Sequence, residues 1–402
     1  TTTSSSSSSR RPRVASRRAT PPPLPARRAS SHVARAEYSY DVGSYDPEMD
    51  GFVPPEVSLS TLAVGAKIGE GSFGVVYRGV VTEEDASPRD VVVKEYKKSV
   101  RGRDWYSFYC DERDICRRLV GCAGVAPFAG VAGSDAYLVW EHVGDETLGS
   151  VLDAGRGVKG VREAIGDGRG GRGGRDDAET FRAIAAGLCE AAIAMHERGV
   201  VHRDVKPDNV LLTSVITSAN VSDDDAVLAL CDLGGAADFE TGQGCDGREA
   251  IFDPVYGAPE QFERVGGGGG GFTVGGLFGR GGRPGEGTLT ATGVVPHPGF
   301  DAFGIGMCLL RLGVPSLHAP GAVKRARAAM EAAKERADAG QDAETESVLD
   351  AWARAPGGES CDFSLLEKVG AWDLVVGLTE WDPERRMTLA EALEHPALMK
   401  PR

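Results

Sequence analysis

Along this chain apolar residues first alternate with polar ones and later recur every three to four positions. From Leu62 onward, short β-prone runs at 63–68, 74–79 and 91–94 are separated by turn residues, and a further strand signal covers 136–140. Between them, 105–120 reads as a helix with Phe108, Ile115 and Leu119 on one face. After residue 143 the pattern turns helical, and 178–197 is strongly amphipathic. A β-rich part of about 80 residues followed by a larger helical part predicts an α+β, two-lobed architecture. Its N-lobe covers about 62–143 and its C-lobe about 144–400. Two glycine-rich stretches, about 154–176 and 264–299, interrupt the helical part. The second contains six consecutive glycines at 266–271. Neither has a fixed period, so both read as flexible insertions.

Composition adds an asymmetry. Residues 1–36 hold eight arginines and no acid, so the other 366 residues carry 37 basic against 59 acidic side chains, about −22. A body of that charge argues against nucleic acid as a general partner. The Arg-, Ser- and Pro-rich first 36 residues cannot bury enough apolar surface to fold alone, and they have the composition of an organellar transit peptide. The bland alternative is a disordered basic tail. Residues 37–61 read as a polar linker. No window approaches the roughly 20 apolar residues of a membrane-spanning helix. The eight cysteines form no CxxC pair, which argues against a zinc site and for free thiols in a reducing compartment.

The chemistry is concentrated in a few motifs. Gly69-Glu70-Gly71-Ser72-Phe73-Gly74-Val75-Val76 has the spacing GxGxxGxV, in which glycines let the backbone close over phosphates. It lies between two strands rather than ahead of a helix, which argues against a dinucleotide-binding fold. Lys94 ends the apolar run Val91-Val92-Val93. A lysine there is costly unless paired, and Glu112 on the next helix is the natural partner. Val201-His202-Arg203-Asp204-Val205-Lys206-Pro207-Asp208-Asn209 directly follows the 178–197 helix. Cys231-Asp232-Leu233-Gly234 and Ala258-Pro259-Glu260 come after it.

The 201–209 segment resembles the catalytic loop of protein kinases residue for residue, and Cys231-Asp232-Leu233-Gly234 resembles their metal-binding DFG motif with Leu for Phe. The resemblance covers about 62–400 and implies a bilobal protein-kinase fold. Lys206, two places after Asp204, resembles the serine/threonine class. The implied roles follow. Asp204 accepts or orients the substrate hydroxyl, and Lys206 stabilises the transferring phosphoryl group. Lys94, held by Glu112, positions ATP phosphates, while Asn209 and Asp232 hold Mg2+. Ile68, Gly69, Gly71, Gly74, Val76, Glu141 and Val143, with Lys94, form the nucleotide pocket. Asp301 and Arg386 match two structural anchors, and Arg386 is expected to pair with Glu260. The partners implied are proteins with Ser or Thr acceptors. A pseudokinase scaffold is the competing class, and loss of Lys94, Asp204 or Asp232 would mark it.

Several short stretches are similar to the chloroplast state-transition kinases, which phosphorylate photosynthetic proteins. They are Leu138-Val139-Trp140-Glu141, the run 232–238, the run 252–261 and Val314-Pro315-Ser316-Leu317. With the basic N-terminus, this implies a chloroplast protein in the stroma or peripheral to the thylakoid. A serine/threonine kinase outside plastids is the alternative. That family's membrane helix and lumenal cysteine pair have no counterpart in 37–61. Trp140 falls where it should close the pocket behind the adenine. Arg203 stands where the family binds an activating phosphate, and Thr241 and Tyr256 are the acceptors the segment offers. Asp253 stands where most kinases have Thr, and its carboxylate is expected to face Lys206. Cys231 reads as inert packing.

Overall fold

The computed structural model describes residues 56–399 apart from 72–73, 85, 97–98, 101–102, 134–136, 167–174, 214–226, 240–241, 243–252, 266–287, 292–294 and 340–346. The basic segment 1–36 and most of 37–61 therefore lie outside the described residues.

Among the described residues, eight strands and one helix build the N-lobe: β1 (Glu56–Val57), β2 (Leu62–Glu70), β3 (Gly74–Val81), β4 (Arg89–Tyr96), β5 (Ser99–Val100), β6 (Arg103–Asp104), helix α1 (Trp105–Arg118), β7 (Phe128–Ala132) and β8 (Tyr137–Glu141). Six of the strands form one sheet in the order β1-β7-β8-β4-β3-β2, and β5 pairs with β6. The sequence pattern anticipated β2, β3, β4, β8 and α1. It did not anticipate β7, whose Phe-Ala-Gly-Val-Ala run carries a glycine in mid-strand, where the register against β8 shifts. Glu56–Val57, at the end of the expected linker, pairs parallel with β7 and buries Val57. A two-residue strand with one apolar side chain is too short for periodicity to announce it. Val81, Val91, Val93, Ala132 and Val139 close with Val57 into a small core on one face of the sheet. On the other face, Phe108, Ile115 and Leu119 of the α1 region join the main core.

The C-lobe begins with β9 (Glu146–Thr147), α2 (Leu148–Asp153), α3 (Gly157–Ala164) and α4 (Asp177–His196), followed by the short strands β10 (Val200–Val201), β11 (Val210–Leu212), β12 (Leu228–Leu230) and β13 (Ala237–Asp238). A hairpin, β14 (Phe262–Val265) with β15 (Thr288–Ala291), precedes helices α5 (Gly299–Gly313), α6 (Ala322–Asp338), α7 (Val348–Arg354), α8 (Ser364–Val369), α9 (Trp372–Leu378) and α10 (Leu389–Leu393). Helix α4 starts at an Asp176 cap in a reciprocal capping box with Glu179. It buries Phe181, Ile184, Leu188 and Met195 along one stripe. Apart from Asp301 and Arg311, helix α5 is apolar, and it is buried almost throughout in the main core. Among the described residues no helix is long and apolar enough to cross a membrane.

The stretch 154–176 was expected to be a flexible insertion. Its first half is instead helix α3, because Val158, Val161 and Ile165 are spaced to bury one face in the core. Residues 167–174 of that stretch, and 266–287 of the second, lie outside the described residues.

Candidate active site

The cleft side of the sheet carries Lys94 near the end of β4, where it pairs in register with Val76 of β3 and Leu138 of β8. Its ammonium lies 2.9 and 2.7 Å from the two carboxylate oxygens of Glu112 on α1 and 3.0 Å from Oδ1 of Asp232. Lys94 and Glu112 are both buried. Burial pushes the Glu112 carboxyl above its ordinary range, against the pull of the Lys94 charge. The Lys94 charge beside Asp232 does the opposite there, holding that carboxyl at about 2 despite desolvation. Asp232 stands at positive φ with its side chain 46% exposed, so an ionised carboxylate is presented to solvent at the mouth of the cleft.

Above it, β2 and β3 close around the glycine-rich turn. Gly69 pairs with Val76 and Glu70 with Val75, and the Gly71 N–H donates to the Gly74 carbonyl at 2.9 Å. A Cβ on Gly74 would lie 2.5 Å from the Glu95 carbonyl oxygen, so this position tolerates only glycine. Ile68 is an exposed large apolar side chain. At the opposite edge, Val143 is buried, while the Glu141 side chain is turned to an ion pair with Arg89. That leaves the backbone rather than the carboxylate of Glu141 to meet a ligand. Trp140 packs edge-to-face on Phe128 at 5.8 Å.

The 201–209 segment leaves β10 and is pinned from beneath by Asp301 of α5. The two Asp301 oxygens accept the N–H groups of His202 at 2.9 Å and Arg203 at 2.8 Å, and Oδ2 also lies 2.8 Å from Nε2 of His196. Burial pushes this carboxyl up, but the His196 bond and the surrounding positive charge hold it below its ordinary value. Arg203 adopts positive φ, a costly conformation for a non-glycine residue that this anchoring sustains. The loop thereby presents Asp204. Its Oδ2 takes a bond from Nζ of Lys206 at 2.6 Å and one from Nδ2 of Asn209 at 3.2 Å, while its Oδ1 accepts the Asp253 N–H at 2.8 Å. Against the downward pull of burial, the Asp204 charge raises the Lys206 pKa, so the ammonium stays charged.

The Asp253 carboxylate and the Lys206 ammonium act on each other through their charges, but no bond joins them. Oδ1 of Asp253 caps the Val255 N–H at 2.8 Å, and the backbone of Asp253 makes the contact to Asp204. The Arg203 guanidinium donates to the carbonyls of Gly235 at 2.6 Å and Ala236 at 3.3 Å, within the segment that follows Asp232. Tyr256, weighed above as a phosphate acceptor, is buried, and its hydroxyl accepts from Nη1 of Arg311 at 3.1 Å. Thr241 lies outside the described residues. At the end of that segment, Arg386 grips Glu260 with both terminal nitrogens, at 2.5 and 2.8 Å.

Among the described residues, no group of three or more His, Cys, Asp or Glu side chains gathers as a metal site. Mg2+ does not require one, since it is held by one or two protein oxygens together with phosphates and water. The ionised, half-exposed Asp232 fits that donor chemistry. So does Asn209, whose amide nitrogen is taken up by Asp204 and whose amide oxygen is left as the acceptor.

Comparison with known proteins agrees with this geometry. The protein kinase domain model matches residues 62–268, just over half of the chain. The serine/threonine-protein kinase STN7, chloroplastic, of Arabidopsis thaliana is 28% identical over 218 residues, covering 52% of this chain and 36% of the relative. STN8, chloroplastic, from the same organism is 26% identical over 249 residues, covering 53% and 48%. Calcium-dependent protein kinase 5 of Oryza sativa subsp. japonica is 30% identical over 217 residues, covering 51% and 33%. The chain thus spans about a third to a half of the length of these relatives. With a family model matched over more than half its length, across the lysine, catalytic-loop and Asp232 motifs, the chain belongs to the protein kinase domain family.

Proposed function

We propose that the protein transfers the γ-phosphoryl group of ATP to serine or threonine hydroxyls of protein substrates. The observation that carries this reading is the convergence on one cleft of the Lys94–Glu112–Asp232 cluster and the Asp204–Lys206–Asn209 cluster, every side chain charged or hydrogen-bonded as phosphoryl transfer requires. Lys94 grips the α- and β-phosphates. Asp204, fixed at both oxygens, receives the acceptor hydroxyl and takes its proton as the bond to phosphorus forms. Lys206 offsets negative charge growing on the phosphoryl oxygens. Asn209 and Asp232 hold Mg2+, which when bound neutralises charge on the phosphates. Ile68, Val76 and Val143 enclose the adenine from both lobes, with the backbone at Glu141 along its edge. Such a site works by positioning and electrostatics. Purified protein with Mg-ATP should label a generic Ser/Thr acceptor or itself, and Asp204→Asn should abolish the labelling. Equal labelling by that variant would falsify the assignment.

The finer reading is a chloroplast kinase acting on proteins of the photosynthetic apparatus, in the stroma or peripheral to the thylakoid. It is supported by the Arg- and Ser-rich residues 1–36, by the short stretches similar to state-transition kinases, and by two relatives named as chloroplastic. A fusion of residues 1–60 to a fluorescent reporter tests the compartment, and a cytosolic or mitochondrial reporter overturns it. Phosphoproteomics of chloroplasts with and without the protein tests the substrates.

A further inference from the structure

We propose that Tyr96 is a positioning residue for nucleotide binding, its hydroxyl holding the Glu112 carboxylate in place when Lys94 turns toward phosphates. The proposal rests on the reading of this cleft as an ATP site. Tyr96 lies two positions after Lys94 on β4, so both side chains leave the same face of the sheet. It is buried, and its hydroxyl donates to Oε2 of Glu112, the same oxygen that lies 2.7 Å from Nζ of Lys94.

An ammonium has three N–H groups. Among the described residues those of Lys94 face both oxygens of Glu112 and Oδ1 of Asp232. A bond to an ATP phosphate must be taken from one of them. Glu112 is 1% exposed, so water cannot replace a donor it loses, and a carboxylate left short of donors there is costly. The Tyr96 hydroxyl remains on Oε2 whatever Lys94 does.

Helix α1 fixes that hydroxyl in turn. The Tyr96 ring stands edge-on to Tyr109 at 5.7 Å. Tyr109 is stacked by Tyr106 at 6.1 Å and covered by the Arg113 guanidinium at 5.7 Å. Strand β4 and helix α1 are therefore tied twice, and the second tie does not use the lysine.

The test is Tyr96→Phe in the full chain, which keeps the ring and its contact with Tyr109. Binding of a fluorescent ATP analogue with Mg2+ should weaken about tenfold, the size expected for a hydrogen bond to a charged group. The KM for ATP should rise with it, while the KM for the protein acceptor stays unchanged. The melting temperature should fall only modestly, since Lys94 still serves both Glu112 oxygens when no nucleotide is bound. In a Glu112→Leu background, Tyr96→Phe should cost nothing further. Analogue affinity equal to wild type, or the same loss in both backgrounds, overturns the proposal. If Glu112→Leu does not fold, the split between the two KM values decides. Wild-type protein that binds the analogue but transfers no phosphoryl group overturns the kinase reading alone, because the affinity ratio is still measured. Wild-type protein that binds no analogue overturns both.

Discussion

The backbone N–H of Asp253 donates to Oδ1 of Asp204 at 2.8 Å, so the residue that looks most out of place in the sequence supports the catalytic carboxylate through its main chain. Its own carboxyl is pushed above the usual range, first by burial and then by the charges of Asp204 and Asp208. Asp253→Asn keeps the N–H and an oxygen to cap Val255, so activity should stay within a few-fold of wild type. Stability should respond to pH. A carboxyl whose folded pKa is raised costs the native state free energy once it ionises, so Asp253→Asn should raise the melting temperature at neutral pH. That gain should vanish below the ordinary carboxyl value of 3.8, where the group is protonated in both folded and unfolded chains. Melting curves at pH 7 and pH 3 decide it, and an equal gain at both would show that charge is not the cause.

Lys94→Met should lower turnover by orders of magnitude, since phosphate positioning is lost. It should also destabilise the fold by about 3–5 kcal/mol, because Glu112 is left as a buried charge without its cation. Replacing both, Lys94→Met with Glu112→Leu, should recover most of the stability and none of the activity. Chemical denaturation of the single and double variants separates the two effects. Recovery of activity in the double variant would mean that another lysine reaches the phosphates.

How much of this was legible in sequence depends on how locally each feature is encoded. Lys94, Glu112, Asp204, Lys206, Asn209 and Asp232 stand in short runs whose residue types and order carry the chemistry, and α1 and α4 announce themselves by periodicity. Helix α3 was hidden because glycines flank it on both sides, although the spacing of Val158, Val161 and Ile165 was there to be counted. Tyr96 lies just past the β-prone run 91–94 and in no motif. The signal available was its i+2 position from a buried lysine, which puts two polar ends on one face. The role of Asp253 could not be read at all, because a backbone N–H is common to every residue but proline.

Arg386 and Glu260, 126 residues apart in sequence, form a two-pronged pair with both side chains largely buried. The same guanidinium lies over the Phe303 ring at 5.1 Å and donates to the Glu260 side chain and the Gly299 carbonyl. Arg386→Ala should therefore cost about 3–5 kcal/mol, the range for breaking a buried pair from one side. Arg386→Lys should recover only part of this, since an ammonium cannot reproduce the planar fork. Urea unfolding midpoints of the three proteins check the order.

Burial pushes the thiols of Cys122 up to about 11 and of Cys189 and Cys231 up to about 12. Thiolate is the reactive form, so all three should resist iodoacetamide at pH 7.5 in the native protein and react after denaturation. Mass spectrometry of alkylated peptides reads this directly. Rapid native labelling of Cys231 would reopen a redox role at the nucleotide site.

The glycine-rich run at 266–271 raises the question of what its segment contributes. Its two ends are already in contact, because Val265 and Thr288 are register partners that close the β14–β15 hairpin. Residues 266–287 number 22, so the hairpin carries a very long connection where a two-residue turn would suffice. Closure entropy changes by roughly 0.6 kcal/mol for each halving of loop length, so cutting 22 residues to two should stabilise the fold by about 2 kcal/mol at most. Replacing 266–287 with Asn-Gly should therefore leave the melting temperature unchanged or slightly raised, with labelling of a generic acceptor intact. A fall of several degrees would show that the segment packs on the domain. Intact stability with lost activity toward a natural substrate alone would instead assign the segment to substrate docking.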